Sequence, residues 1–106
     1  MLNTRSSIRA RRRLLVRFGR TASFTIDVGH GGFCLRLMRV LPVRSPLEGS
    51  IVVDGEELPF AAEVAWARPG DHHLGLAGLM GVAFTRIADG YAAAIEPSVL
   101  RRAGGA

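Results

Sequence analysis

Hydrophobic residues along this chain fall into short runs closed by turn residues, the pattern of strands. Residues 14–18 read LLVRF, compact and apolar. Residues 23–27, SFTID, alternate: Phe24 and Ile26 share one face, Ser23 and Thr25 the other. Residues 32–38, GFCLRLM, alternate too, with Phe33, Leu35 and Leu37 on one side and Cys34, Arg36 and Met38 on the other. Two prolines and a glycine make residues 40–49 a loop. The clearest hairpin has Asp54 and Gly55 between apolar runs, the signal of a type I′ turn. Its second arm, residues 58–68, carries Ala62, Val64 and Trp66 on one face. Pro59 lies near the start of that arm, where a missing N–H is tolerable on an edge. Residues 69–78 read as a flexible connection, and residues 80–87 as a last strand with Val82 and Phe84 inward. Residues 91–95 have helical composition, which Pro97 interrupts.

Five or six short strands with turns between them predict an all-β fold, an antiparallel sheet closed into a small barrel. Closure removes exposed sheet edges that a chain of 106 residues has little material to cover. The C-terminal helix is expected to pack on one end of the barrel through Tyr91, Ile95 and Leu100. The length suits one domain, and a domain of this size buries about 60–65% of its unfolded surface. One modest core follows, with no deep enclosed active site. The organisation expected is a flexible arginine-rich arm over 1–12, a barrel over 13–90, and a helix and tail over 91–106. Trp66 reads first as core and second as a residue of the barrel lip.

Charge changes the picture at the N-terminal end. All 14 basic residues are arginine, and seven of them (Arg5, Arg9, Arg11, Arg12, Arg13, Arg17 and Arg20) precede the first acid, Asp27. Like charges this dense repel unless an anion screens them, so an anionic partner is expected here. The single cysteine, Cys34, excludes an internal disulfide and fits a reducing compartment. No apolar run approaches the roughly 20 residues of a membrane span, and Arg17 breaks the only stretch placed like a signal peptide. The cytoplasm is the expected location.

Two stretches carry candidate chemistry. In RARRR, Arg9 and Arg13 stand four apart and can converge on one multivalent anion; Arg5 with Arg9, and Arg13 with Arg17, have the same spacing. Guanidinium presents fork-shaped donors that match phosphate and the O6/N7 edge of guanine. The second stretch is DVGHGG, residues 27–32, where Gly29 and Gly31 permit positive φ and a close backbone approach. Asp27 can accept N–H donors from a guanine edge, and the amides of residues 29–32 can cradle an anion. Alternatively, the stretch is a glycine-rich hairpin whose aspartate bonds its own backbone. His30 is either a base-stacking residue or an exposed loop residue. His72 and His73 are adjacent in a loop, where neighbouring side chains diverge, so no metal site is expected. The acids are scattered and no serine has a nucleophile-elbow context, so no enzyme is expected.

Taken together, RARRR leading into a strand, then DVGHGG, then FCLRL resemble the PilZ domain family, marked by R-x-x-x-R followed by [D/N]-x-S-x-x-G. The likeness spans residues 9–90 and includes LPVRSPLEGS, AAEVAWARPG and MGVAFTRI in order. It implies a six-stranded antiparallel β-barrel with a short C-terminal helix, and binding of cyclic di-GMP, a bacterial second messenger. By the resemblance, Arg9 and Arg13 would grip guanine and phosphate, Asp27 would read a guanine edge, and Gly32 would keep the turn tight. Gly29 stands where the family has serine, and the interval from Arg13 to Asp27 is shorter than the family usually shows. The expected function is a second-messenger receptor and adaptor that signals to a protein partner when the ligand orders the arm. The alternatives are a PilZ-like interaction module that binds no nucleotide, and a nucleic-acid binder using the arginines on phosphates. The scarcity of aromatic residues argues against the last, since single strands are held by stacking.

Overall fold

The computed structural model describes residues 10–96. Its strands are β1 (Ala10–Arg11), β2 (Leu15–Phe18), β3 (Thr21–Gly29), β4 (Gly32–Leu37), β5 (Pro46–Val53), β6 (Glu56–Arg68) and β7 (Gly78–Ile87). They pair in the order β1-β3-β2-β5-β6-β7-β4, all antiparallel, and β4 returns to β3. That last pairing closes a six-stranded barrel, with β1 as one extra strand on β3.

The inner face is the apolar face of most strands. Val16, Val28, Phe33, Leu35, Ile51, Val64, Met80 and Val82 are essentially excluded from solvent. Phe33, Phe60, Phe84 and Tyr91 form an aromatic cluster with neighbouring centroids 4.9–5.8 Å apart, edge-to-face except for the tilted Phe60–Phe84 pair. Helical residues 90–96 seal this end, burying Tyr91 and Ile95; Leu100 lies outside the described residues. The hairpin at Asp54 and Gly55 is the expected type I′ turn, with φ of 51° and 84°.

Several local expectations are corrected. Strand β5 begins at Pro46, inside the stretch read as loop, because its first position needs no donated hydrogen bond. Pro59 lies within β6 between two partners, but the β6–β7 ladder begins only at Phe60, so its missing N–H breaks no bond to β7. The β6–β7 register shifts twice, through Thr85 on β7 opposite Ala61 and Ala62 and through Ala65 on β6 between Val64 and Trp66, and the second shift resets the alternation of β6. Trp66 is therefore not core: it is 41% exposed, and its indole lies over Gly81 of β7. His72 and His73 do not diverge either. They lie in a 3-10 turn, His72–Leu74, capped by the Asp71 carboxylate, with ring centroids 4.3 Å apart.

Candidate ligand-binding site

The leader and the DVGHGG turn meet along β3. Ala10 pairs with Val28 and Arg11 with Asp27, while four steps down the same edge Leu15 to Phe18 pair with Phe24 to Thr21. β1 and β2 thus behave as one strand interrupted over residues 12–14, with one residue more on the leader than on β3 facing it. Thr25 fastens the interruption. Its amide donates to the Leu14 carbonyl (2.9 Å), its hydroxyl accepts from the Leu14 amide (2.9 Å), and that hydroxyl donates to the Arg12 carbonyl (2.5 Å). The polar face of SFTID is therefore the inward one: Thr25 is 4% exposed, whereas Phe24 is 44% exposed. Alternation shows that two faces differ but not which of them meets the core, and the buried Leu14 amide with the part-buried Arg12 carbonyl makes the hydroxyl the better inward group.

A second irregularity aims Asp27. The β3–β4 register shifts by one residue between Thr25 and Asp27. Thr25 and Val28 are both buried, and the extra residue leaves Ile26 and Asp27 together on the outer side. Asp27 is flanked by Arg11 on β1 and Cys34 on β4. Simple alternation would have placed it with Thr25, pointing into the barrel.

Gly29 ends β3, opposite Gly32 of β4, so His30 and Gly31 form the turn. Neither Gly29 nor Gly31 adopts a left-handed conformation. Gly32 has a different requirement from the turn tightness expected: a Cβ there would fall on the Val82 carbonyl of β7. The turn is tied to the C-terminal helix. The Tyr91 hydroxyl donates to the buried Gly29 carbonyl (2.7 Å), and His30 Nε2 lies 3.1 Å from Glu96 Oε1. Arg9 lies outside the described residues.

Above Phe24 and Ile26 opens a shallow basin of about 560 Å³, with Arg11, Arg12, Arg13 and Arg36 on its walls. Arg13 stands over Phe24, its Cζ 4.0 Å from the ring centroid. Arg12 is committed to Asp54 (2.8 Å), and Arg17, further along, to Glu57 (3.4 Å). The Ser50 hydroxyl first, and Arg17 second, hold the Glu57 carboxyl below the usual range. Arg11, Arg13 and Arg36 meet no carboxylate within ion-pair distance among the described residues. Of the residues singled out in the sequence, Arg13 lies on the basin wall and Asp27 pairs with Arg11 at its edge, whereas Phe24, Thr25 and Arg36, which also line it, lie outside both motifs.

The arrangement offers guanidinium forks around an apolar floor, with a carboxylate beside them. It suits a flat, anionic molecule that also carries N–H donors. Among the described residues, no three His, Cys, Asp or Glu side chains are grouped to hold a metal ion, and no helix is long and apolar enough to cross a membrane.

Comparison with known proteins identifies the fold. The family model described as PilZ domain matches residues 3–101. A solved structure, that of the Bacillus subtilis inhibitor of motility (MotI/DgrA), is similar with a TM-score of 0.77 at 18% identity. The match covers 96% of this chain and 52% of that protein, so this chain spans about half its length. At that identity the likeness shows the fold. None of the curated proteins compared with the chain matches it.

Proposed function

The chain belongs to the PilZ domain family, and from that premise we propose that it is a receptor for cyclic di-GMP that passes the signal to a protein partner. The observation that carries this reading is the pairing of Arg11 with Asp27, which brings the arginine leader beside the DVGHGG turn. Arg9 and Arg13 bind the phosphates and a guanine of the ligand, and Asp27 accepts N–H donors from a guanine edge. Gly32 lets β4 lie close to β7, and His30 offers its ring to a base from the turn. Gly29 stands in the turn without the hydroxyl that family members carry at its position. The leader arginines that meet no carboxylate repel one another; a ligand with two phosphates removes that repulsion and orders the leader at the basin, making a new surface.

Isothermal titration with cyclic di-GMP at physiological salt tests the reading. Heat is expected for the wild type and abolished by Arg9→Ala or Arg13→Ala, but not by Arg101→Ala. A wild type that gives no heat, or arginine variants that bind unchanged, would overturn it.

Gly29 supports a second reading, an interaction module in which nucleotide binding has been lost. A missing hydrogen bond to a charged or buried partner costs on the order of 1.5–3 kcal/mol, about 10–100-fold in affinity. Gly29→Ser separates the two. Binding gained only in the variant favours the second reading; similar binding by both proteins favours the first.

A further inference from the structure

The basin contains two groups that neither motif includes. Phe24 is a large aromatic on the outer face of β3, and Arg36 is an arginine on the outer face of β4 with no carboxylate within ion-pair distance among the described residues. They are neighbours. The β3–β4 ladder pairs Thr25 with Leu35, so one further step sets Phe24 beside Arg36, and the Ser23 hydroxyl donates to the Arg36 carbonyl there (3.3 Å). Arg13 already stands over the Phe24 ring.

We propose that Phe24 and Arg36 complete the ligand seat: Phe24 holds the Arg13 guanidinium flat as a stacking plane for a purine, and Arg36 takes the O6/N7 edge of that purine. The inference rests on the cyclic dinucleotide reading above and adds the residues that select the base.

The physical case has three parts. A guanidinium has two planar faces, and an aromatic ring under one of them fixes its orientation and leaves the other for a base. Three cations around one apolar floor repel until an anionic ligand enters, so the seat favours a molecule that brings phosphate and an aromatic plane together. An arginine fork matches the two acceptors of guanine, O6 and N7, whereas adenine presents an amino donor in place of O6. Arg36 is thus a specificity-determining residue, and Phe24 a positioning residue acting through Arg13.

The test is isothermal titration of the full chain with cyclic di-GMP and cyclic di-AMP, for the wild type, Arg36→Ala, Arg36→Lys, Phe24→Leu and Phe24→Tyr. The wild type should prefer the guanine ligand. Arg36→Ala should weaken cyclic di-GMP about tenfold or more while leaving cyclic di-AMP nearly unchanged, so the preference narrows. Arg36→Lys should not restore it, because an ammonium has no fork. Phe24→Leu should weaken both ligands and Phe24→Tyr should keep both, with folding followed by circular dichroism. Should a Phe24 variant fail to fold, the exposed Arg36 pair decides. If the wild type binds cyclic di-GMP and the Arg36 variants keep its affinity and base preference, this inference falls and the receptor reading stands. A wild type that binds neither dinucleotide overturns both.

Discussion

Thr25→Val removes one hydroxyl and keeps the side-chain shape, and its effect should be large for so small a change. The hydroxyl is buried and serves two backbone groups of the arginine segment, the Leu14 amide and the Arg12 carbonyl. Without it the Leu14 N–H is stranded, at about 1–3 kcal/mol. The Arg12 carbonyl is only part-buried and recovers some of its bond from water, so its loss adds about 0.5–1 kcal/mol. The added methyl returns about 0.8 kcal/mol of apolar burial. The net destabilisation is about 2 kcal/mol, which lowers the melting midpoint of a domain this size by roughly 8–16 °C. Thr25→Ser keeps the hydroxyl and loses only a methyl, at about 1 kcal/mol. The expected order of stability is therefore wild type, then Ser, then Val, although Val is the closer match in shape. Thermal and urea denaturation by circular dichroism give the order, and amide hydrogen exchange should show Leu14 losing protection in the Val variant. A Val variant at least as stable as the Ser variant would refute the claim that this hydroxyl pins the leader to β3.

Three further outcomes are expected. Gly32→Ala should destabilise by about 3 kcal/mol in chemical denaturation, since its Cβ meets the Val82 backbone, whereas Gly31→Ala, with open space around it, should be neutral. Tyr91→Phe should cost about 1 kcal/mol through the lost bond to the Gly29 carbonyl and should loosen the helix from the turn, visible as amide shift changes at residues 29–32. The Glu57 carboxyl is held low in the folded state, so its small contribution to stability is present above the unfolded glutamate range and is lost as pH falls through the lowered value. Ser50→Ala removes the largest cause, so acid denaturation monitored by fluorescence should show a weaker loss of stability in that window, most visibly at low salt.

The barrel was legible because its signals are local. Strand alternation, the Asp54 and Gly55 turn, and the apolar residues at 91 and 95 each follow from neighbours in sequence, and each appears in the fold. Arg13 and Asp27 were legible for the same reason, since charge and turn chemistry can be read from the chain itself. What the chain did not disclose depends on register. Trp66 read first as core, but β6 shifts at Val64 and leaves it outside, and the shared face of Phe24 and Ile26 is the outer one because Thr25 turns inward.

From sequence alone came the class of fold and the cationic leader, because composition and period-2 patterning are properties of short segments. Tertiary structure alone decided which face of β3 points inward, that an extra residue turns Asp27 outward toward Arg11, and that Phe24 and Arg36 share a basin. The reason is physical: one residue of slip in an antiparallel ladder exchanges the two faces of a strand, and that slip is set by backbone groups on other strands seeking their hydrogen bonds.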